Sequence, residues 1–382
     1  MIRSLFCSVL ALLAPCHLAI AVETRELSQV ETAKLIVAAE KNVKEPRGWA
    51  ADLLDVLRLH DLAASKENIC AAIAIIDQES SFVADPPVAA LGRISEAALR
   101  AKMDKVPVLG RLALHFLEIT PSKSDNYLAR IRSARTERDL DLTYRAMVAD
   151  AAKQSSLGAI VNSGLLNKQI EGRNEIDTIG SMQVSVDFAL DVAKRRRWLP
   201  MSLNDVYAVR DELYTRHGGM YYGILLLLGY ETGYDRKLYR FADFNAGRYA
   251  SRNAAIQKQV AELTGEALAT DGDLLLYDSS GKASNVTSKT EKALRSALKT
   301  SSFELRDEDI RKDLLREKEN SFAQTLTFAA LRATYKQTVN KNPAYATVPE
   351  ISLTSPKIRS KMTTRIFAES VNRRYQACIA RK

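Results

Sequence analysis

Apolar residues in this chain recur at intervals of three and four far more often than at every second position. That period restricts the chain to helices packed on helices. Residues 66–79 show it most clearly. Ser65 occupies a helix N-cap position, and Ile69, Ala72, Ile73 and Ile76 fall at i, i+3, i+4 and i+7 on one stripe. Pro86 and Pro87 break the chain beyond it. Three positions past Ile76, on the same stripe, stands Glu79. Two readings follow. Either the helix stops one turn early and Glu79 faces water, or a carboxyl sits among apolar walls. In the second case its pKa rises, as a general acid near neutrality requires. The stripe alone leaves both open.

The same period organises the rest. Ser28 and Glu31 form a capping box that opens a helix to about residue 43, and a second helix covers about 49–62. Residues 90–154 hold several helical stretches interrupted near Pro107 and Pro121, with Thr136 and Asp139 as a cap. Residues 155–178 are polar and irregular. Helices are predicted over 184–198, 203–230, 237–245 and 248–263. Residues 271–288 read as a loop with one short hairpin, and the last hundred or so residues are helical and charged. The expected class is all-α.

The first residues constrain the compartment. One basic residue, Arg3, precedes an apolar run over 5–14, and Ala19-Ile20-Ala21 has the small-x-small form of a cleavage site. Residues 1–21 read as a secretory signal peptide. The run is short of the roughly 20 apolar residues that a spanning helix needs. Leu13-Ala14-Pro15-Cys16 offers an alternative, lipidation of Cys16, although Pro15 departs from the usual small residue. Periplasmic location follows, free or held to the outer membrane by a lipid. No other membrane contact is expected. Cys7 falls in the leader, so Cys70 and Cys378 are the two cysteines of the exported chain. In an oxidising compartment they form a disulfide or remain two buried thiols.

The net charge of +9 favours acidic partners. No HExxH, paired CxxC, phosphate-cradling glycine loop or GxSxG occurs, and no two of the four histidines stand at ligand spacing. Metal, cofactor and nucleic acid are therefore not expected. The basic run Lys194-Arg195-Arg196-Arg197, followed by Trp198, reads as a solvated helix end.

Two further stretches carry chemistry. In Gly180-Ser181-Met182-Gln183, Gly180 allows close backbone approach, Met182 is a compliant wall and Gln183 both donates and accepts. In Phe244-Asn245-Ala246-Gly247, the Asn and Gly terminate a helix or present an amide at a turn.

Taken in order, Glu79-Ser80-Ser81-Phe82, "GSMQVSV" and "FNAG" resemble the lysozyme-like lytic transglycosylases of the soluble type, over residues 65–263. The phrases "RFADFNAGRYASRNAA" and "SPKIRSKMTT" make nearly the whole exported chain resemble a family of uncharacterised bacterial envelope proteins, described as lipoproteins, that carries the same core. The resemblance implies a glycan-cleaving domain over 22–263, a helical insertion at 86–178 and a C-terminal helical region at 264–382. The insertion sets the acid about a hundred residues from GSMQ, where the family has about twenty.

It also implies scission of the peptidoglycan bond between N-acetylmuramic acid and N-acetylglucosamine, with Glu79 as sole acid/base and a 1,6-anhydro product. Ser80 would bond the carboxylate, Gln183 and Asn245 would hold the glycan, and Met182 would line its subsite. Two departures stand out. Ser181 replaces a Leu. Phe244 replaces a Tyr whose hydroxyl can bond the acid, leaving Tyr221, Tyr222 or Tyr249 to supply one. Glu231 and Asp243 are the candidate second carboxylates for a hydrolytic muramidase. A glycan-binding envelope protein without catalysis is the remaining alternative.

Overall fold

A computed structural model of the chain describes residues 25–154, 174, 176–278, 281–299, 301–353 and 362–381. The expected leader with Cys7 and Cys16, most of the polar stretch after residue 154 and most of "SPKIRSKMTT" lie outside these.

The described residues are mostly helical. α1 (Gln29–Ala39), α2 (Pro46–Leu59) and α3 (Lys66–Ser80) come first. The capping box at Ser28 and Glu31 is formed, and Ser65 caps α3 by accepting from the Asn68 amide. The expected insertion at 86–178 holds α4 (Leu91–Met103), α5 (Pro107–Ile119), α6 (Tyr127–Ser133) and α7 (Glu137–Gln154). Thr136 and Asp139 cap α7 reciprocally. A two-residue hairpin, β1 (Thr178–Ile179) with β2 (Val184–Ser185), leads into α8 (Val186–Arg195), α9 (Leu203–Leu213), α10 (Arg216–Leu228) and α11 (Lys237–Ala246). Then come α12 (Ala250–Thr264), α13 (Lys289–Lys299), α14 (Asp307–Leu314) and α15 (Leu326–Val339). A second small hairpin, β3 (Ser352–Leu353) with β4 (Met362–Thr363), precedes the last helix, α16 (Thr364–Ile379).

Residues 203–230 are two helices, not the single one predicted. Thr215 interrupts them: its backbone is extended, and its hydroxyl accepts from the Gly218 amide to cap α10.

There are two main cores. The first joins α1–α3 and α8–α11, with Ile36, Leu53, Ile69, Ile73, Ile76, Leu213, Ile224 and Phe241 almost wholly buried. The second joins α12–α15 around Val260, Leu274, Leu294, Leu314, Phe322 and Leu331. The insertion has a small core of its own around Leu117, Tyr127 and Leu128. It is pinned to the first core by a buried ion pair, Asp141 with Arg210 at 2.8 Å. Asn174 completes that pair with a bond to Asp141.

The expected boundary between 22–263 and 264–382 fails for α16. Phe367, Ala368, Val371, Tyr375 and Cys378 belong to the first core, packed against α3 and α11. A disulfide between Cys70 and Cys378 fixes that docking, with Cα atoms 5.6 Å apart and a sequence separation of 308. Lys66 Nζ donates to the Ile379 carbonyl at the same end. The helices run antiparallel, so α16 travels back along α3 toward Glu79. The physical reason is amphipathicity: α16 has an apolar stripe that a separate C-terminal unit would leave in water.

Candidate functional site

The end of α3 is shaped by two successive left-handed residues, Ser81 (φ 49°) and Phe82 (φ 61°). They turn the chain back immediately after Glu79. The hook is held because the Phe82 ring is buried, edge-on to Trp49 with ring centroids 5.3 Å apart. Ser80 is buried too, but its hydroxyl does not reach the Glu79 carboxyl as expected. It lies 2.8 Å from the Ser181 carbonyl and 3.1 Å from that of Ile76. Ser80 thus ties the end of α3 to the turn that carries Gln183.

That turn needs its glycine. Gly180 has φ 82°, and a Cβ there would fall 2.1 Å from the Leu213 carbonyl at the end of α9. Gln183, itself left-handed at φ 48°, closes the turn by donating its amide to the Gly180 carbonyl. Its carboxamide is oriented on both sides. Oε1 accepts from the Thr178 hydroxyl at 2.8 Å, and Nε2 lies 3.3 Å from both Glu137 Oε2 and the Gly180 carbonyl. Glu137 belongs to the first turn of α7, so the insertion contributes directly to this site. Met182 is fully buried rather than lining a subsite. It fills the space left by Gly223 of α10, where a Cβ would meet its sulfur at 2.3 Å.

The Asn-Ala-Gly stretch ends α11. Asp243, fully buried, organises it: its carboxylate accepts from the hydroxyls of Tyr230 and Tyr234 and from the amides of Tyr249 and Ser251. Arg240 and Arg248 reach back to the last carbonyls of α10, which fixes α11 against it. Asn245 Oδ1 accepts from the Thr364 hydroxyl at 2.8 Å, and Phe244 packs partly buried against the first core. Among the other residues marked in the sequence, Glu231 is exposed and bonded to Asn320, and Tyr249 donates to the Glu231 carbonyl. Tyr222 donates to Glu212, while Tyr221 stacks on His60. None of these three tyrosines hydrogen-bonds Glu79.

Glu79 is partly buried, and among the described residues its carboxyl accepts no hydrogen bond. Burial pushes its pKa from the ordinary 4.5 up to about 7, with the Arg374 guanidinium pulling the other way. Arg374 comes from α16. It donates to Asp77 Oδ2 at 2.8 Å and to Ser370 Oγ at 2.9 Å, and Ser370 in turn donates to Gln78. A carboxyl that titrates close to pH 7 populates both its neutral and ionised forms there, and can both give and take a proton.

Two surface depressions, of about 660 Å³ and 510 Å³, are lined by other residues: 87–93 with 132–135, and Glu26 and Leu27 with the end of α2 and residues 61–64. Neither includes Glu79. Among the described residues no group of three or more His, Cys, Asp or Glu side chains could hold a metal, and no helix is long and apolar enough to cross a membrane.

The family described as "Protein of unknown function (DUF1615)" matches residues 42–381. The chain belongs to this family. The DUF1615 match takes in α2 to α16, with Glu79, Gln183, Asn245, Arg374 and both cysteines of the disulfide. "Uncharacterized protein YaiW" of Escherichia coli (strain K12) is 33% identical over 338 residues, which is 88% of this chain and 86% of that protein. No solved structure matches the chain.

Motif reading misses Glu137, Thr178, Thr364 and Arg374. A signal for Arg374 exists all the same. If Cys70 pairs with Cys378 in antiparallel helices, a residue one turn before Cys378 falls beyond Cys70 on α3, toward Asp77.

Proposed function

We propose that this protein is a peptidoglycan lytic transglycosylase with a lysozyme-like helical core, acting in the bacterial envelope with Glu79 as its single acid/base. The observation that carries this reading is the Glu79 carboxyl, pushed to about 7 by burial at the end of α3. Ser80 locks that end to the Gly180–Gln183 turn. Glu79 in its neutral form protonates the glycosidic oxygen between N-acetylmuramic acid and N-acetylglucosamine. The resulting carboxylate then takes the proton of the muramic 6-hydroxyl, whose oxygen bonds to C1. The product is a 1,6-anhydro end, and no water is consumed. Gln183 and Asn245 hold the glycan, oriented by Thr178 and Glu137 on one side and by Thr364 on the other.

A single carboxylate separates this scheme from two-carboxylate hydrolysis. The engagement of Asp243 by four donors and the exposure of Glu231 favour the single-acid route. The leader and the Cys70–Cys378 disulfide favour an oxidising compartment. One observation favours a second reading, a glycan-binding envelope protein without catalysis. Phe244 offers no hydroxyl to orient Glu79, and no other described residue does so.

Digestion of purified sacculi, with product masses measured, decides among these. Anhydro-ended muropeptides are expected from the wild type and none from Glu79→Gln, which should still bind sacculi. Reducing ends would mean hydrolysis, and retention without any product would mean binding alone. Undiminished activity in Glu79→Gln would remove Glu79 from the mechanism.

A further inference from the structure

The connection between α8 and α9 presents its apolar side chains outward. Trp198 is 101% exposed and Leu199 77%, more than any other large hydrophobic side chain described. The segment is braced on both sides. Arg196 stacks over the Tyr221 ring at 4.9 Å, Arg197 pairs with Asp205 at 3.0 Å, and Met201 is buried. Ser202 then opens α9 with a complete capping box. The indole therefore projects from a pinned turn.

Residues 194–200 are all exposed, and four of them in a row, Lys194 to Arg197, are cations. The neighbouring acids, Asp191 with Lys194 and Asp205 with Arg197, answer only two of these four cations. The remaining charge at the tip is positive. A Trp and a Leu standing in water beside a run of Lys and Arg match the chemistry of an anionic bilayer surface. The indole prefers the headgroup level, the leucine enters the acyl boundary, and the long cations snorkel to phosphates. A sugar ring would stack on the indole but has no use for Leu199, and glycan and peptide sites are concave, whereas this tip is convex.

We infer that the Trp198–Leu199 tip is a membrane-contact site that inserts into the interface of anionic lipid. This inference does not depend on the glycan-cleaving reading, nor on an attached lipid.

Intrinsic fluorescence provides the test, because the other tryptophan, Trp49, is 4% exposed. The probe is the purified chain carrying Cys16→Ser, mixed with vesicles of phosphatidylglycerol and phosphatidylcholine or of phosphatidylcholine alone. A blue shift of tryptophan emission and co-sedimentation are expected with the anionic vesicles at low salt, and both should fade at high salt. Trp198→Phe should abolish the shift, and Trp198→Ala with Leu199→Ala should lower partitioning at least tenfold. Lys194→Gln with Arg195→Gln should lower it roughly thirtyfold. All of these side chains are exposed, so unchanged circular dichroism and Tm accompany the loss. The inference is overturned if anionic vesicles leave the emission unmoved at low salt. It is equally overturned if the variants partition like the parent, or if sacculus fragments shift the emission and vesicles do not.

Discussion

Replacing Glu79 by Gln should make the protein more stable at pH 8 and leave its stability almost unchanged at pH 4. A pKa carried from 4.5 to about 7 by burial corresponds to about 3 kcal/mol held against the ionised form in the fold. The sign follows from which state binds the proton. Below pH 4.5 Glu79 is neutral in both folded and unfolded chains, and no penalty applies. Between 4.5 and about 7 the unfolded chain ionises while the folded one keeps its proton, so stability falls as pH rises. Above about 7 both are ionised and the whole penalty is present. Glutamine fills the same space and never ionises, so it escapes the penalty. Glu317, whose carboxyl burial also pushes to about 7, is present in both proteins and cancels in the comparison. Urea or thermal unfolding of both proteins at the two pH values measures the effect, and about 3 kcal/mol corresponds to roughly 5 °C in Tm for a chain of this size. If Glu79→Gln gained nothing at pH 8 relative to pH 4, the carboxyl would be solvated and its role as a tuned acid would fall.

Four other outcomes follow from the same geometry. Cys70→Ser with Cys378→Ser should lose about 5 kcal/mol on denaturant titration, because the bond joins residues 308 apart in sequence; most of that difference should vanish in reductant. Gly180→Ala should lose about 2 kcal/mol or more by the same measure, since the alanine must hold φ 82° with its Cβ against the Leu213 carbonyl. Thr178→Val leaves Gln183 Oε1 without its donor, and should lower kcat/KM on sacculi about fivefold, consistent with the ~1 kcal/mol of one hydrogen bond, with Tm nearly unchanged. Arg374→Met removes the cation that opposes the burial effect on Glu79. The alkaline limb of the pH–rate profile should therefore move to higher pH, and a limb that stays in place or moves down would show that Arg374 does not act on this carboxyl.

The period of the apolar residues made α3 and its stripe legible, because a helix that buries one face must repeat every three to four residues. The caps at Ser28, Ser65 and Thr136 were legible for the same local reason. The end of α3 was ambiguous because periodicity says nothing of what covers the last turn. That cover is the hook at Ser81 and Phe82, and its conformation depends on Trp49, thirty residues earlier. Ser80 illustrates a further limit. Its place beside Glu79 suggested a bond to the carboxyl, but a hydroxyl at a helix end has carbonyls nearer to hand, and those of Ile76 and Ser181 accept it. The Gln183 carboxamide could be named from its motif, while its partners Thr178 and Glu137 could not, since Glu137 arrives by way of the insertion.

The reach of α16 changes what the insertion and the C-terminal region are for. One end of this helix, at Thr364, holds the Asn245 carboxamide, and its middle, at Ser370 and Arg374, holds Gln78 and Asp77 beside Glu79. The disulfide then secures its far end to the start of α3. A helix that was expected to lie outside the domain at 22–263 instead spans from one of its motifs to the Glu79 carboxyl. α7 plays the matching part for Gln183 through Glu137. Each motif of the short core is therefore held by a side chain from a segment that the core alone would lack. A truncated chain covering residues 22–263 would keep Glu79, Gln183 and Asn245, yet lose the cation beside the acid, the Asn245 partner and the cover over α3. The stability of this fold, and the proposed catalysis with it, thus depend on the whole span from α2 to α16.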